Sequence, residues 1–266
     1  MKPPLTSVWT RESRPAKSPT LSRSQIVRAA VELLDAEGMD ALSMRRLGSR
    51  LGSGATSIYW HVANKDELLE LILDEIFGEV PLPAPEVIGW RDAASVLAYG
   101  LRTTLFAHPW STTLVGTRPA IGPNAMRLSG RLLNTFTVAG FTGLSLDHAS
   151  SALMAYVLGT TGPEIAWRSI MAGSEMNDEE MLAAMKVVLD QTAGDHPELV
   201  ARYAEYADVD AEAVRALNFD FGLTCLLDGL EAHLRRRHAP GPVAAEDPED
   251  ARSGDTETTA EPSAGR

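Results

Sequence analysis

The chain has 266 residues, 44% of them hydrophobic and 23% charged, enough apolar material for one small module and one larger domain with buried cores. A single cysteine, Cys225, excludes an internal disulfide framework, and the polar, Pro-, Ser- and Thr-rich first twenty residues show no signal-peptide core. The net charge of −12 argues against a nucleic-acid partner until its distribution is considered: residues 1–50 carry nine Lys and Arg against five acids, while the stretch from Pro240 onward carries seven acids against two arginines.

The first twenty residues read as a flexible basic arm (Arg11, Arg14 and Lys17). Ser22-Arg23-Ser24-Gln25 is a capping-box pattern, and apolar residues at Ile26, Ala29, Ala30, Leu33 and Leu34 form one helical face that Gly38 ends. Ser43 opens a second helix with Leu47 and Leu51 inward, and Gly52-Ser53-Gly54 makes a tight turn. A short third helix over Ala55 to Val62 turns Ile58 and Val62 inward. Asn64-Lys65-Asp66-Glu67 then starts a fourth that runs to Phe77, with Asn64 as cap and acids in its first turn. Pro81-Leu82-Pro83-Ala84-Pro85 ends this first unit, residues 21–80.

Beyond the prolines, amphipathic periodicity predicts helices near Trp90–Ala107, Gly122–Ala139, Ser145–Arg168, Asp178–Ala193, Pro197–Tyr206 and Asp210–Arg237, a second unit over 86–238. No alternation long enough for a sheet occurs, so the fold class is all-α. Residues 239–266, acidic and poor in large apolar groups, read as a disordered tail. No apolar run approaches the roughly 18 residues of a membrane span, and a soluble, cytoplasmic protein is expected.

No catalytic constellation is present. Gly52-Ser53-Gly54-Ala55-Thr56-Ser57 lacks both the preceding strand and the third glycine of a dinucleotide site, and the six histidines form no metal-ligand spacing. We expect no catalytic residue, metal or cofactor. The alternative is a helical enzyme or a binding protein for an apolar small molecule.

Two short helices joined by a glycine-containing turn form a helix-turn-helix, whose second helix enters the major groove of DNA. Between Ala55 and Lys65 that second helix and its exit carry Thr56, Ser57, Tyr59, Trp60, His61 and Lys65 and no acid before Asp66. Hydroxyls, ring N–H groups and an ammonium can donate to phosphates or meet base edges, and none repels the DNA backbone.

Residues 22–77, and above all Ile58-Tyr59-Trp60-His61-Val62-Ala63-Asn64-Lys65-Asp66-Glu67-Leu68-Leu69, resemble the DNA-binding domain of the tetracycline-repressor family of bacterial regulators. Gly116-Thr117-Arg118-Pro119, the helix holding Leu158-Gly159, and Phe219-Asp220-Phe221-Gly222-Leu223 resemble the family's regulatory domain. The resemblance implies a ligand-responsive regulator, usually a repressor, that binds a palindromic operator in double-stranded DNA as a homodimer. It implies base-edge contacts from Ala55, Thr56, Tyr59 and Arg45, and phosphate contacts from Ser43, Ser57, Trp60, His61 and Lys65. It further implies that the helices over Ser145–Trp167 and Asp210–Arg237 pair with their copies in a four-helix bundle. Their apolar stripes are Leu146, Leu153 and Val157, and Leu223, Leu227, Leu230 and Leu234, with Gly222 and Gly229 permitting close approach.

A pocket for a small-molecule effector would lie among the central helices, with candidate residues His108, Trp110, Thr117, Arg118, Asn134, Phe136, Met154, Glu164 and Trp167. At the position where tetracycline repressors hold the drug-bound magnesium with a histidine, this chain has Leu114, which cannot ligate a hard cation. That departure implies a different, more apolar effector and no metal.

Overall fold

The computed structural model describes residues 7–10, 21–174, 176, 178–192, 196–205 and 211–238. The acidic tail and most of the N-terminal arm lie outside these residues. The described chain is helical, with one isolated bridge between Val115 and Arg118 and no strand.

Four helices make the first unit: α1 (Arg23–Glu37), α2 (Met44–Arg50), α3 (Ala55–His61) and α4 (Lys65–Phe77). The starts of α1, α2 and α4 follow capping signals. Ser22 accepts from the Gln25 N–H at 3.2 Å while the Gln25 side chain accepts from the Ser22 N–H at 2.8 Å, closing the capping box. Ser43 caps α2 by accepting from Arg46 N, and Asn64 caps α4 by accepting from Glu67 N at 2.8 Å. The Glu67 carboxylate in turn accepts from the Ala63 N–H at 3.0 Å.

The larger unit comprises α5 (Pro85–Ile88), α6 (Trp90–Ala107), α7 (Pro123–Ala139), α8 (Leu144–Ala172), α9 (Asp178–Thr192), α10 (Pro197–Ala204) and α11 (Ala211–His238). The short α5 was not expected; it begins at Pro85, the last residue of the proline break, and fills the stretch before the helix expected from Trp90. A 3-10 turn over Pro109–Thr113 follows α6.

The axle between the two units is α4. Leu68, Leu69, Leu71, Ile72, Leu73, Ile76 and Phe77 are all buried, so α4 has no solvent face along most of its length and packs against both α1 and α7. Its two buried carboxylates, Glu70 and Asp74, stand four residues apart on one side, and each is satisfied by a different segment. Glu70 accepts from the Ser7 hydroxyl at 2.5 Å and the Val8 N–H at 3.2 Å. Asp74 accepts from the N–H groups of Ala125 at 2.9 Å and Asn124 at 3.3 Å, at the start of α7.

Asp74 performs a capping role that α7 cannot supply itself. The N-cap of α7 is Gly122, which has no side chain, and a Cβ there would run into the Asp74 carboxylate and come within 2.6 Å of the Trp9 ring. The glycine is required by that close approach.

Residues 7–10 depart from the flexible arm expected over 1–20. They form a 3-10 turn with Ser7 and Val8 buried against α4 and Trp9 packed on the core. An apolar Val8-Trp9 pair flanked by polar residues gives the segment something to bury, and Glu70 supplies the matching acceptor.

The stripes named on the two long helices serve the protomer's own core. Leu153, Val157, Leu223, Leu227 and Leu234 are buried within one chain, and Leu146 and Leu230 are half-buried against the same core. What α8 and α11 present outward is different: Ser151, Ala155, Gly159 and Ala166 on α8, and Leu217, Phe221 and Cys225 on α11, with Phe221 73% exposed. Gly222 does permit close approach, since a Cβ would lie 2.5 Å from the Tyr156 hydroxyl, whereas Gly229 faces open space.

Candidate nucleic-acid interface and regulatory cavity

The turn between α2 and α3 is held by backbone contact. The Ser53 N–H donates to the Gly48 carbonyl at 2.9 Å, and a Cβ on Gly48 would lie 2.9 Å from Ser53 O and 3.0 Å from Ala55 N. Gly52, at φ +61°, occupies the left-handed region that turns the chain. Ile58 and Val62 are fully buried, which fixes the roll of α3 about its axis and sends the intervening side chains outward.

Outward lie Thr56, Tyr59 and Trp60, the two rings 47% and 51% exposed, with Ala55, Ser57 and His61 half-buried beside them. On α2 the three arginines divide: Arg46 pairs with Glu37 and Arg50 with Glu32 at 3.2 Å, both fastened to α1. Arg45 is exposed and has no ion-pair partner among the described residues. Ser43 uses an oxygen lone pair for the helix cap and keeps an O–H to donate. Lys65 donates to the Leu42 carbonyl at 2.9 Å, which staples the start of α4 to the entry of α2 and leaves two further ammonium hydrogens. The nine residues named for DNA contact therefore occupy one continuous region formed by α2, α3 and the start of α4.

The nine named for the effector pocket do not come together. His108 is buried, with Nδ1 2.7 Å from Asp35 Oδ1 and Nε2 3.0 Å from Glu79 Oε2, and the Trp110 indole N–H donates to the same Asp35 at 2.7 Å. Burial opposes a charge on this imidazole, but the two carboxylates outweigh it and hold its pKa above the usual 6.5. Asp35 belongs to α1 and Glu79 follows α4, so His108 and Trp110 tie the DNA-binding unit to the 3-10 turn after α6. The Thr117 hydroxyl donates to backbone carbonyls of its own turn, and Arg118 reaches Asp66 at the start of α4 at 2.9 Å. Asn134 donates to Glu86 at 2.6 Å, and Phe136 is fully buried. Met154 lines a small apolar gap near Leu101 and Leu132.

Glu164 and Trp167 alone of the nine border a cavity of about 370 Å³, between α6, α8 and α11. Its other walls include Arg102 of α6 and Arg215, Asn218 and Phe219 of α11; Phe219 belongs to a stretch that the sequence singled out, whereas Arg102, Arg215 and Asn218 were not named as pocket residues. Arg102 donates to Glu164 at 2.6 Å and lies between the rings of Phe106 and Phe219, its guanidinium carbon 4.8 and 4.4 Å from their centroids. Leu114 is buried, and no group of three or more His, Cys, Asp or Glu side chains suited to a metal occurs among the described residues.

The family description "Bacterial regulatory proteins, tetR family" matches residues 26–72, and "Tetracyclin repressor-like, C-terminal domain" matches residues 82–234. The chain belongs to the tetracycline-repressor family. It is 38% identical over 228 residues to an HTH-type transcriptional regulator of Saccharopolyspora erythraea, covering 85% of this chain and 92% of that one. It is 31% identical over 240 residues to the HTH-type transcriptional repressor DrrR1 of Streptomyces coeruleorubidus, covering 88% and 86% of the two chains. The solved structure of ActR of Streptomyces coelicolor in complex with actinorhodin superposes with a TM-score of 0.69 at 28% identity, over 81% of this chain and 98% of that one.

This tetracycline-repressor family member is thus a DNA-binding transcriptional regulator, all-α, with an N-terminal helix-turn-helix. Members of the family bind operator DNA and work as homodimers. Among the described residues no helix is long and apolar enough to cross a membrane.

Proposed function

We propose that this chain is a cytoplasmic, non-catalytic repressor whose dimer reads a palindromic operator and leaves it when a small molecule binds the larger unit. The observation that carries the reading is the outward face of the helix-turn-helix, where half-exposed Tyr59 and Trp60 and an unpaired Arg45 lie together with no acid on α3. Arg45, Ala55, Thr56 and Tyr59 meet base edges, Arg45 as the bidentate donor suited to a guanine. Ser43, Ser57, Trp60, His61 and Lys65 hold the phosphates on either side. Ala55 offers a methyl, which suits contact with a thymine methyl better than a hydrogen bond.

A dimer places two such faces at a fixed spacing, and the small outward residues of α8 together with Leu217 and Phe221 of α11 are the surface that a second copy would cover. The repressor DrrR1 supports the sign of regulation, and ActR holding actinorhodin supports a small-molecule effector. An effector acts by preferring a dimer whose two recognition helices no longer match successive major grooves, and α4, packed against both units, carries that change.

Binding of the purified protein to its own upstream DNA across a salt series tests this. Wild type should bind with a steep salt dependence, and Arg45→Ala and Tyr59→Ala should each weaken binding by about 1–3 kcal/mol. Lys65→Ala should instead lower the salt slope by about one. Absence of binding at every salt concentration would overturn the operator-binding reading.

A further inference from the structure

Beside the cavity between α6, α8 and α11, two guanidinium N–H groups have no acceptor among the described residues. Three guanidinium groups converge on one carboxylate. Arg102 donates to Glu164 Oε2 at 2.6 Å, Arg168 donates to Glu164 Oε1 at 3.2 Å, and Arg215 Nε stands 3.9 Å from the same Oε1, beyond hydrogen-bonding distance. Arg102 Nη1 and Arg215 Nε are buried and have no hydrogen-bond partner among the described residues. Both residues line the cavity. A buried guanidinium N–H without an acceptor is costly, and a fork of such donors matches a carboxylate in both charge and geometry.

The rest of the wall is mostly apolar. Trp167 and Phe219 border the space, Phe219 already stacked beneath the Arg102 guanidinium, and its volume of about 370 Å³ falls within the range of small-molecule sites, roughly 300–1,000 Å³. Asn218, on α11, adds one neutral amide to the lining.

Building on the reading of the chain as a ligand-responsive regulator, we infer that this cavity is the effector site and that its ligand is a planar aromatic acid. The acid's carboxylate accepts from Arg102 Nη1 and Arg215 Nε, and its ring system lies against Trp167 and Phe219. This differs from the apolar effector implied by Leu114: the apolar part of the ligand is retained, and an anionic group is added to it. Because α11 contributes Arg215 and α6 contributes Arg102, an anion between them links helices of the dimer-forming surface to one adjoining α7 and α8.

Calorimetry on the full chain tests the assignment with benzoate, a naphthoate and an anthraquinone carboxylate, each beside its carboxamide. At least one acid should bind tenfold or more tightly than its amide. Arg215→Gln should weaken that acid about tenfold and leave the amide unchanged, while Arg215→Lys, which keeps the charge, should recover part of the loss. Equal affinity of every acid and its amide, no binding by any acid, or an unaltered acid affinity in Arg215→Gln would each overturn the inference. The salt-series experiment on the same preparation separates the two claims. Protein that binds DNA but discriminates no acid loses this site alone, and protein that binds the acid but no DNA keeps the site and loses the operator reading.

Discussion

At Gly48 a hydrogen atom decides whether the helix-turn-helix can close. An added Cβ would press on Ser53 O at 2.9 Å and Ala55 N at 3.0 Å, which are backbone atoms in a turn with no rotamer to change. We expect Gly48→Ala to lower stability by about 1–3 kcal/mol, the usual cost of overpacking, measurable by urea unfolding. It should weaken DNA binding beyond that, because Arg45 on α2 and Tyr59 on α3 are held in register by this contact. An unchanged unfolding midpoint would mean that the two helices are further apart than described. The same scale explains why the outward rings of α3 were legible from the chain and the cavity between α6, α8 and α11 was not. Tyr59, Trp60 and His61 are adjacent in sequence, so three large rings cannot share one buried side of a helix, whatever the tertiary structure does. Arg102, Glu164 and Arg215 meet only because three distant helices pack together, and no spacing rule anticipates that.

Single elements show which signals were local. Caps, the glycine turn and the proline break placed α1 to α4, and amphipathic periodicity placed the later helices except α5, to within a few residues. At α7, as at α3, α6 and α8, the N-cap is a glycine, and here the acceptor comes from Asp74 of α4, a residue no capping pattern would select. Periodicity likewise showed that α8 and α11 have apolar faces but not what covers them, and here the protomer's own core covers Leu153, Val157, Leu223 and Leu227.

The N-terminal turn was missed because four residues are too few to show a period. Two substitutions separate these attachments of α4. Asp74→Ala removes the acceptor from two N–H groups at the start of α7 and should cost about 1–3 kcal/mol of stability. Val8→Asp should release residues 7–10 from the core and lower stability by at least the burial of that one side chain, about 1.5–3 kcal/mol. Thermal unfolding checks both, and a Val8→Asp melting temperature equal to wild type would show that the segment contributes nothing to the fold.

For the whole molecule the informative group is His108, because its two partners belong to the DNA-binding unit and the end of α4 while it belongs to the turn after α6. Burial disfavours the imidazolium, Asp35 and Glu79 favour it more strongly, and the pKa is raised above 6.5. A histidine whose folded pKa exceeds its unfolded one binds more protons when folded than when unfolded. Its contribution to stability is therefore complete below about pH 6.5, its unfolded value, and is lost as pH rises through the folded pKa. The Trp110 N–H still donates to Asp35 after the proton leaves, so the junction loosens without losing every bond.

His108→Gln keeps a hydrogen-bonding side chain and removes the titration. The melting-temperature difference between wild type and this variant should thus be largest below about pH 6.5 and shrink as pH rises through the raised pKa. A difference independent of pH would mean that His108 contributes by packing alone. Because the imidazolium bridges the two units, the same pH dependence should enter the coupling between effector and DNA. Effector-driven release should become easier as His108 deprotonates and α4 is held less firmly to the turn that leads into the regulatory helices. In His108→Gln that part of the pH dependence of release should vanish, while DNA affinity without effector still falls with salt as in wild type.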